Sequence, residues 1–173
     1  DADGSNLTRL TNQLPYSDAS PDWSPDGTRI VFETNQGSDQ NFAVINVDGT
    51  NRVLLGGGRY PTWSPDSSRI LFSRYVQDSG YQLFVMNADG SGSAQVTSGV
   101  FNDHYPDWRS DGQKIALMRN TSGIVRIWTM NADGTAQVNI TGSISNAGQN
   151  FPDWQKVAAP TPTPTPTCVR VSV

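Results

Sequence analysis

Tryptophan recurs along this chain at Trp23, Trp63, Trp108 and Trp154, with spacings of 40, 45 and 46 residues. Each is preceded two places earlier by proline: Pro21, Pro61, Pro106 and Pro152. A second marker keeps the same period, since Asp-Gly pairs begin at Asp3, Asp48, Asp89 and Asp133. Self-similarity at ~40–46 residues marks a chain that stacks one small supersecondary unit on the next, because a single unit cannot bury its own apolar face.

Inside each unit the pattern has period two. Ile30, Ile70 and Ile115 lie seven residues after their tryptophans, and Phe32, Phe72 and Leu117 lie nine after. Both positions therefore fall on one side of a strand, which is expected to be core. A third strand ends at Asn46, Asn87 and Asn131, just before each Asp-Gly, and a fourth follows the turn. Ser24-Pro25-Asp26-Gly27 reads as a hairpin turn: proline presets φ, aspartate bonds its own turn, and glycine accepts positive φ at re-entry. The Asp-Gly pairs are expected to close two-residue turns between the third and fourth strands. Four antiparallel strands per repeat make an all-β chain, a β-propeller of four-stranded blades. Composition agrees, with 16 glycines and 11 prolines against only 16% charged residues among 173, a turn-rich balance unlike that of long charged helices.

The run Pro21-Asp22-Trp23-Ser24-Pro25-Asp26-Gly27 with Ile30 and Phe32, followed in the next unit by Val85-Met86-Asn87-Ala88-Asp89-Gly90-Ser91, resembles the Pro-Asp propeller repeat of TolB-like proteins. The resemblance runs from Asp3 to about Gln155 and specifies the fold more sharply than the function. It implies an exported protein, periplasmic or extracellular, acting as a non-catalytic binding or scaffold module for protein or peptide partners. The same repeat also serves as the accessory propeller of prolyl-oligopeptidase-type hydrolases, gating substrate to a catalytic domain elsewhere. Three departures bear on turn geometry: Ser67 for the turn glycine, Thr62 for the aspartate before tryptophan, and Arg109-Ser110 for Ser-Pro.

Residues 1–157 are expected to hold three complete blades, at about 17–55, 59–97 and 104–141, with single edge strands at 6–11 and 151–155. Because a propeller closes with ~4–8 blades, this is read as a piece of a larger propeller. Were the chain complete, self-association would be the other way to close a ring. Residues 158–167 form a Thr-Pro linker of the extended kind, and 168–173 look like the start of a further segment. Cys168 is the sole cysteine, so neither an internal disulfide nor a cysteine metal cluster can form.

Formal charge is -4, and Lys114 and Lys156 are the only lysines, so no basic stripe exists to hold a nucleic-acid backbone. No apolar run reaches the ~18–20 residues needed for membrane insertion as a helix. No cofactor or metal site is expected, since the Asp-Gly turns lack the glutamate of a calcium loop. No catalytic residue is assigned either: there is no nucleophile elbow, and His104 reads as a loop histidine at a blade edge. The best binding candidates are Asp22, Thr62, Asp107 and Asp153, which precede the four tryptophans at the start of the innermost strand and could ring a channel mouth. The loops leading to those strands add Tyr16, Arg59, Tyr60 and His104. Aromatic and arginine side chains there suit partner binding, because they give large contact area at low entropic cost. The tryptophans themselves are expected to be core.

Overall fold

A computed structural model describes residues 3, 5–12, 15–37, 40–142 and 152–154. Among them are three four-stranded antiparallel sheets and no helix. The first contains β1 (Asp18–Trp23), β2 (Arg29–Thr34), β3 (Asn41–Asn46) and β4 (Val53–Gly57). The second contains β5 (Arg59–Trp63), β6 (Arg69–Val76), β7 (Gly80–Asn87) and β8 (Ala94–Gln95). The third contains β9 (Asn102–Trp108), β10 (Lys114–Thr121), β11 (Ile124–Asn131) and β12 (Val138–Asn139). Strand order within each sheet follows the chain, so each is a meander, the form of a propeller blade. Of the first strands, β5 contacts both β1 and β9 across the blade junctions, so the three form the inner edge of the arc.

The turns hold each meander in register. Gly27 N donates to Ser24 O at 2.8 Å and Ser24 N to Arg29 O at 2.9 Å, while Asp26 Oδ1 accepts from Ser24 Oγ, Thr28 N and Thr28 Oγ1. Blade two repeats this with Ser67 at a positive φ of 59°. The side chain that occupies the glycine position is used: Ser67 Oγ accepts from Asp26 N at 3.0 Å, and Ser67 O from the Arg29 guanidinium at 3.2 Å, both across the blade junction. The Asp-Gly turns differ from the two-residue form expected. Asn46 N bonds Thr50 O and Gly49 N bonds Asn46 O, so each is a longer turn in which only the glycine is left-handed, with φ of 82°, 88° and 85° at Gly49, Gly90 and Gly134. The aspartate carboxylate of each turn accepts the N–H of the residue two places on, Thr50, Ser91 or Thr135, which ties the turn to itself.

The core is a series of layers between blades. Val31, Phe42 and Val44 of blade one pack with Trp63, Ile70, Phe72 and Met86 of blade two. Leu71 and Leu83 of blade two then pack with Trp108, Ile115, Leu117 and Met130 of blade three. Ile70, Phe72, Ile115 and Leu117 are thus core as expected, but so are the intervening Val31 and Leu71, because a central strand is covered on both faces. Trp63 and Trp108 are 3% and 5% exposed, whereas Trp23 is 58% exposed. That departs from the expectation of a uniformly buried series: Trp63 and Trp108 pack in the layers shared with the blade before their own, whereas among the described residues Leu10 alone packs from outside the blade onto the corresponding face of blade one. Residues 6–11, expected as an edge strand, form no ladder, though Leu10 covers part of the Ile30, Phe32 and Ile45 face. Of 151–155, only 152–154 are described, and they are unpaired as a strand. The Thr-Pro segment and Cys168 lie outside the described residues.

Candidate functional site

The inner strands share a distortion. Pairing slips between Ala19 and Asp22, between Arg59 and Thr62, and between Ala116 and Met118 opposite β9. At each slip the residue before proline is left-handed: Ser20 at φ 49°, Tyr60 at 53° and Tyr105 at 49°. A bulky residue rarely adopts this conformation, at a cost of ~1–3 kcal/mol. Its effect is to turn Tyr60 and Tyr105 toward the inner edge. There, a cavity of about 330 Å³ is lined by Ser20, Asp22, Tyr60, Thr62, Tyr105, Asp107 and Asp153, together with the four repeat prolines. Four of the expected site residues, Asp22, Thr62, Asp107 and Asp153, therefore line one cavity, with Tyr60 as a fifth.

Their carboxylates do not form a simple free ring. Asp22 Oδ2 accepts from Trp63 N at 2.8 Å and Thr62 Oγ1 at 3.0 Å. Asp107 Oδ2 accepts from Trp154 N at 2.7 Å. Each aspartate clasps the tryptophan backbone of the following blade, which is neither a vacant acidic group nor a cap on its own turn. Asp153 stands at the same position of the repeat and is exposed.

Arg59 and His104 lie one residue before Tyr60 and Tyr105, in a cluster beside the cavity. His104 belongs to β9, not to a loop, because pairing with β10 begins at Asn102 opposite Asn120. Its ring meets Tyr60 edge-on at 5.6 Å and Tyr81 at 4.7 Å, and Tyr60 lies 3.9 Å from Tyr105 between centroids. Tyr105 Oη donates to Tyr60 Oη at 3.2 Å. Glu33 binds Tyr60 N at 2.8 Å and stands 3.9 Å from Arg59 Nε. Burial, and secondarily the Arg59 charge, pushes the His104 imidazole down to about 4, so at neutral pH it is an uncharged ring. Burial also pushes the Tyr60 phenol up, keeping its O–H as a donor. Tyr16 is apart from this cluster, in a small cleft with Arg9 and Asp18.

Sequence reasoning missed Tyr105, Tyr81 and Glu33. Tyr105 was accessible to it, since it holds the same place before tryptophan as Tyr60. A second unread signal lies six residues after tryptophan: the Arg29 guanidinium lies 4.6 Å over Trp63, and that of Arg69 5.2 Å over Trp108. Lys114 breaks the series by bonding Asn131, and Arg109 replaces it at 5.8 Å over Trp154. The Arg109-Ser110 departure thus restores a cation to the next junction. Among the described residues, no three His, Cys, Asp or Glu side chains converge as a metal would require. What the cavity offers is hydrogen bonding between carboxylates, hydroxyls and aromatic faces.

Comparison with known proteins follows the same lines. The Tol-Pal system protein TolB of Geobacter metallireducens is 45% identical over 84 residues, which is 47% of this chain and 19% of that protein. Dipeptidyl-peptidase 5 of Porphyromonas gingivalis is 45% identical over 46 residues, 27% of this chain and 7% of that protein. The chain therefore spans less than a fifth of the length of either relative. The crystal structure of TolB from Acinetobacter baumannii superposes with a TM-score of 0.65 at 17% identity, over 75% of this chain and 33% of that one. The β-propeller domain of the Trilobed protease from Pyrococcus furiosus superposes at 0.56 with 14% identity, over 72% and 44%. These two establish the fold alone. The profile of the PD40 family, the TolB beta propeller domain, matches residues 1–160. With its repeat, its blades and this match in agreement, the chain belongs to the TolB beta propeller domain family.

Proposed function

We propose that this chain is a non-catalytic binding or scaffold module of an exported bacterial protein, periplasmic or extracellular, holding protein or peptide partners at the channel mouth and adjoining loops. The observation that carries this reading is the cavity to which every blade contributes the same inner-strand positions, with tyrosines held there by strained backbone. Strain of this kind persists where surrounding structure enforces it, and it clusters at binding sites. A photo-crosslinking amino acid placed at Ser20, on the mouth, is expected to capture discrete partners from a bacterial envelope fraction. The same group at Val53, on the outermost strand of blade one, is expected to capture none of them. Equal labelling from both positions would remove the mouth as the binding surface.

A second reading is that the module belongs to a larger secreted hydrolase of the prolyl-oligopeptidase type and gates its substrate. The stretch shared with Dipeptidyl-peptidase 5 favours it. Peptide hydrolysis by the whole parent polypeptide, lost on mutating a serine outside residues 1–173, would support this second reading.

A further inference from the structure

The hairpin turns that follow the inner strands make a second series of blade junctions, and two of them can be compared position by position. At the first, Ser67 of blade two reaches blade one with two oxygens: Oγ accepts from Asp26 N at 3.0 Å and O from the Arg29 guanidinium at 3.2 Å. At the second, Asp66 and Arg69 of blade two take the places of Asp26 and Arg29, and Gly112 of blade three takes that of Ser67. Gly112 has no side chain to reach across, and a Cβ built on it would meet nothing within 4 Å. A cleft of about 380 Å³ opens there, with Pro65, Asp66 and Arg69 on one wall and Ser110, Asp111 and Gly112 on the other.

The charges of this cleft are unequally committed. Asp66 Oδ1 accepts from Ser64 Oγ at 2.6 Å, Ser68 Oγ at 2.8 Å and Ser68 N at 3.1 Å. Asp111 holds the Arg109 guanidinium through both oxygens, at 2.9 and 2.6 Å, and accepts from Gln113 N at 2.9 Å. Arg69 differs. Its guanidinium lies 5.2 Å over the Trp108 ring, and among the described residues it has no hydrogen bond of the kind that Arg29 gives to Ser67 O. A guanidinium is a planar fork of N–H donors that matches a carboxylate, whose two oxygens accept parallel bonds. On the same wall, the Asp66 N–H holds the place of the Asp26 donor that Ser67 Oγ fills one junction earlier.

We infer that the cleft between the hairpin turns of blades two and three binds a small monocarboxylate, whose oxygens take the Arg69 guanidinium and the Asp66 N–H as the two oxygens of Ser67 do at the preceding junction. A short hydrocarbon chain on the acid lies against Pro65. The ligand carries a single charge, because the Asp66 and Asp111 carboxylates stand in the same walls and repel a second. A neutral amide of the same shape is a poorer fit, since it lacks the charge that strengthens bonds from a guanidinium. The site is separate from the channel mouth and does not depend on what binds there.

The test titrates the 173-residue chain, labelled with ¹⁵N, with butyrate at constant ionic strength and follows the Arg69 Nε–H and the Asp66 and Gly112 amides by NMR, with butyramide and sulfate as comparisons. Butyrate should shift these resonances saturably, and butyramide and sulfate should bind at least about tenfold more weakly. Gly112→Ser should weaken butyrate by about tenfold or more, because the new hydroxyl takes the place that Ser67 holds at the other junction. That turn accepts serine, since Ser67 has a φ of 59° where Gly112 has 70°. Gly112→Asn supplies an acceptor at the same place from a side chain that tolerates left-handed backbone, and serves if the serine variant does not fold. Undiminished butyrate binding in the substituted chain, or equal shifts from butyrate and butyramide, would overturn the site. Sulfate binding as tightly as butyrate would overturn its selection for a carboxylate, and the absence of a saturable shift at Arg69 would overturn it outright.

Discussion

Asp26 and Asp66 each accept a serine hydroxyl at 2.6 Å together with the N–H and hydroxyl of the residue two places on. Hydrogen bonds to the ionised form, first among them that of Ser24 or Ser64, hold both carboxyls at about 2 rather than the ordinary 3.8. A carboxyl depressed on folding contributes stability above its unfolded value and loses it as pH falls through its folded one. Acid should therefore erode these two turns between about pH 4 and pH 2. His104 acts in a separate window. Its folded value of about 4 lies below the ordinary 6.5, so the unfolded chain binds the proton first, and stability falls as pH drops from 6.5 toward 4. Urea midpoints measured along the acid limb should show both windows, and His104→Phe should flatten only the upper one. A midpoint independent of pH between 6.5 and 4 in the parent chain would show that His104 is not shielded as described. Gly58 makes the same kind of point sterically. It joins β4 to β5 against two core rings, and a Cβ there would lie 2.5 Å from Phe72 Cδ2 and 3.0 Å from Phe42 Cε1. Gly58→Ala is expected to cost about 1–3 kcal/mol by overpacking, read from denaturant unfolding.

At the scale of strands and turns, what could be read in advance was whatever repeats. The Pro-x-Trp and Asp-Gly series located the strands, because period-two burial and turn chemistry leave marks within a few residues. Asp22, Thr62, Asp107 and Asp153 were found as candidates because they share a register. Their partners were not found, since each clasp joins residues more than 40 apart and nothing local signals it. Asp103 is the clearest case. It sits in β9 with Arg119 Nε at 2.7 Å and Arg119 Nη2 at 2.8 Å, both residues buried. The same guanidinium lies 3.6 Å over Phe101 and 4.7 Å over Trp128. This pair occurs in one blade only, so periodicity could not reveal it. Removing one member leaves an uncompensated buried charge, which typically costs about 3–5 kcal/mol. Asp103→Ala should lose that much in thermal or denaturant unfolding, while Asp111→Ala should lose far less, because its pair with Arg109 is exposed. Similar losses in the two variants would count against the buried pair as a determinant of blade three.

In the whole molecule, stability is distributed as in other stacked repeats, where each unit contributes its own folding and one interface with each neighbour. The tryptophans make this measurable, since they occupy one repeat position with different surroundings. Trp63 is closed between Val31 and Val44 on one side and its own blade on the other, with the Arg29 guanidinium across its face. Trp108 has the equivalent layer from Leu71 and Leu83, and Arg69 above it. Trp23 lies on the open face of blade one, 58% exposed. Truncating a buried tryptophan removes its transfer free energy and leaves a cavity, for about 3–5 kcal/mol, whereas a largely exposed one loses about 1 kcal/mol or less. In the 173-residue chain, Trp63→Ala and Trp108→Ala should each lower stability by the larger amount and Trp23→Ala by the smaller, with denaturant m-values unchanged. A loss at Trp23 equal to the other two would mean that its face is covered as theirs are. The unequal outcome would place the energy of the Pro-x-Trp motif in the interface with the preceding blade and not in the blade that carries it. The same indole at the same repeat position would then be nearly silent or indispensable according to what stands before it.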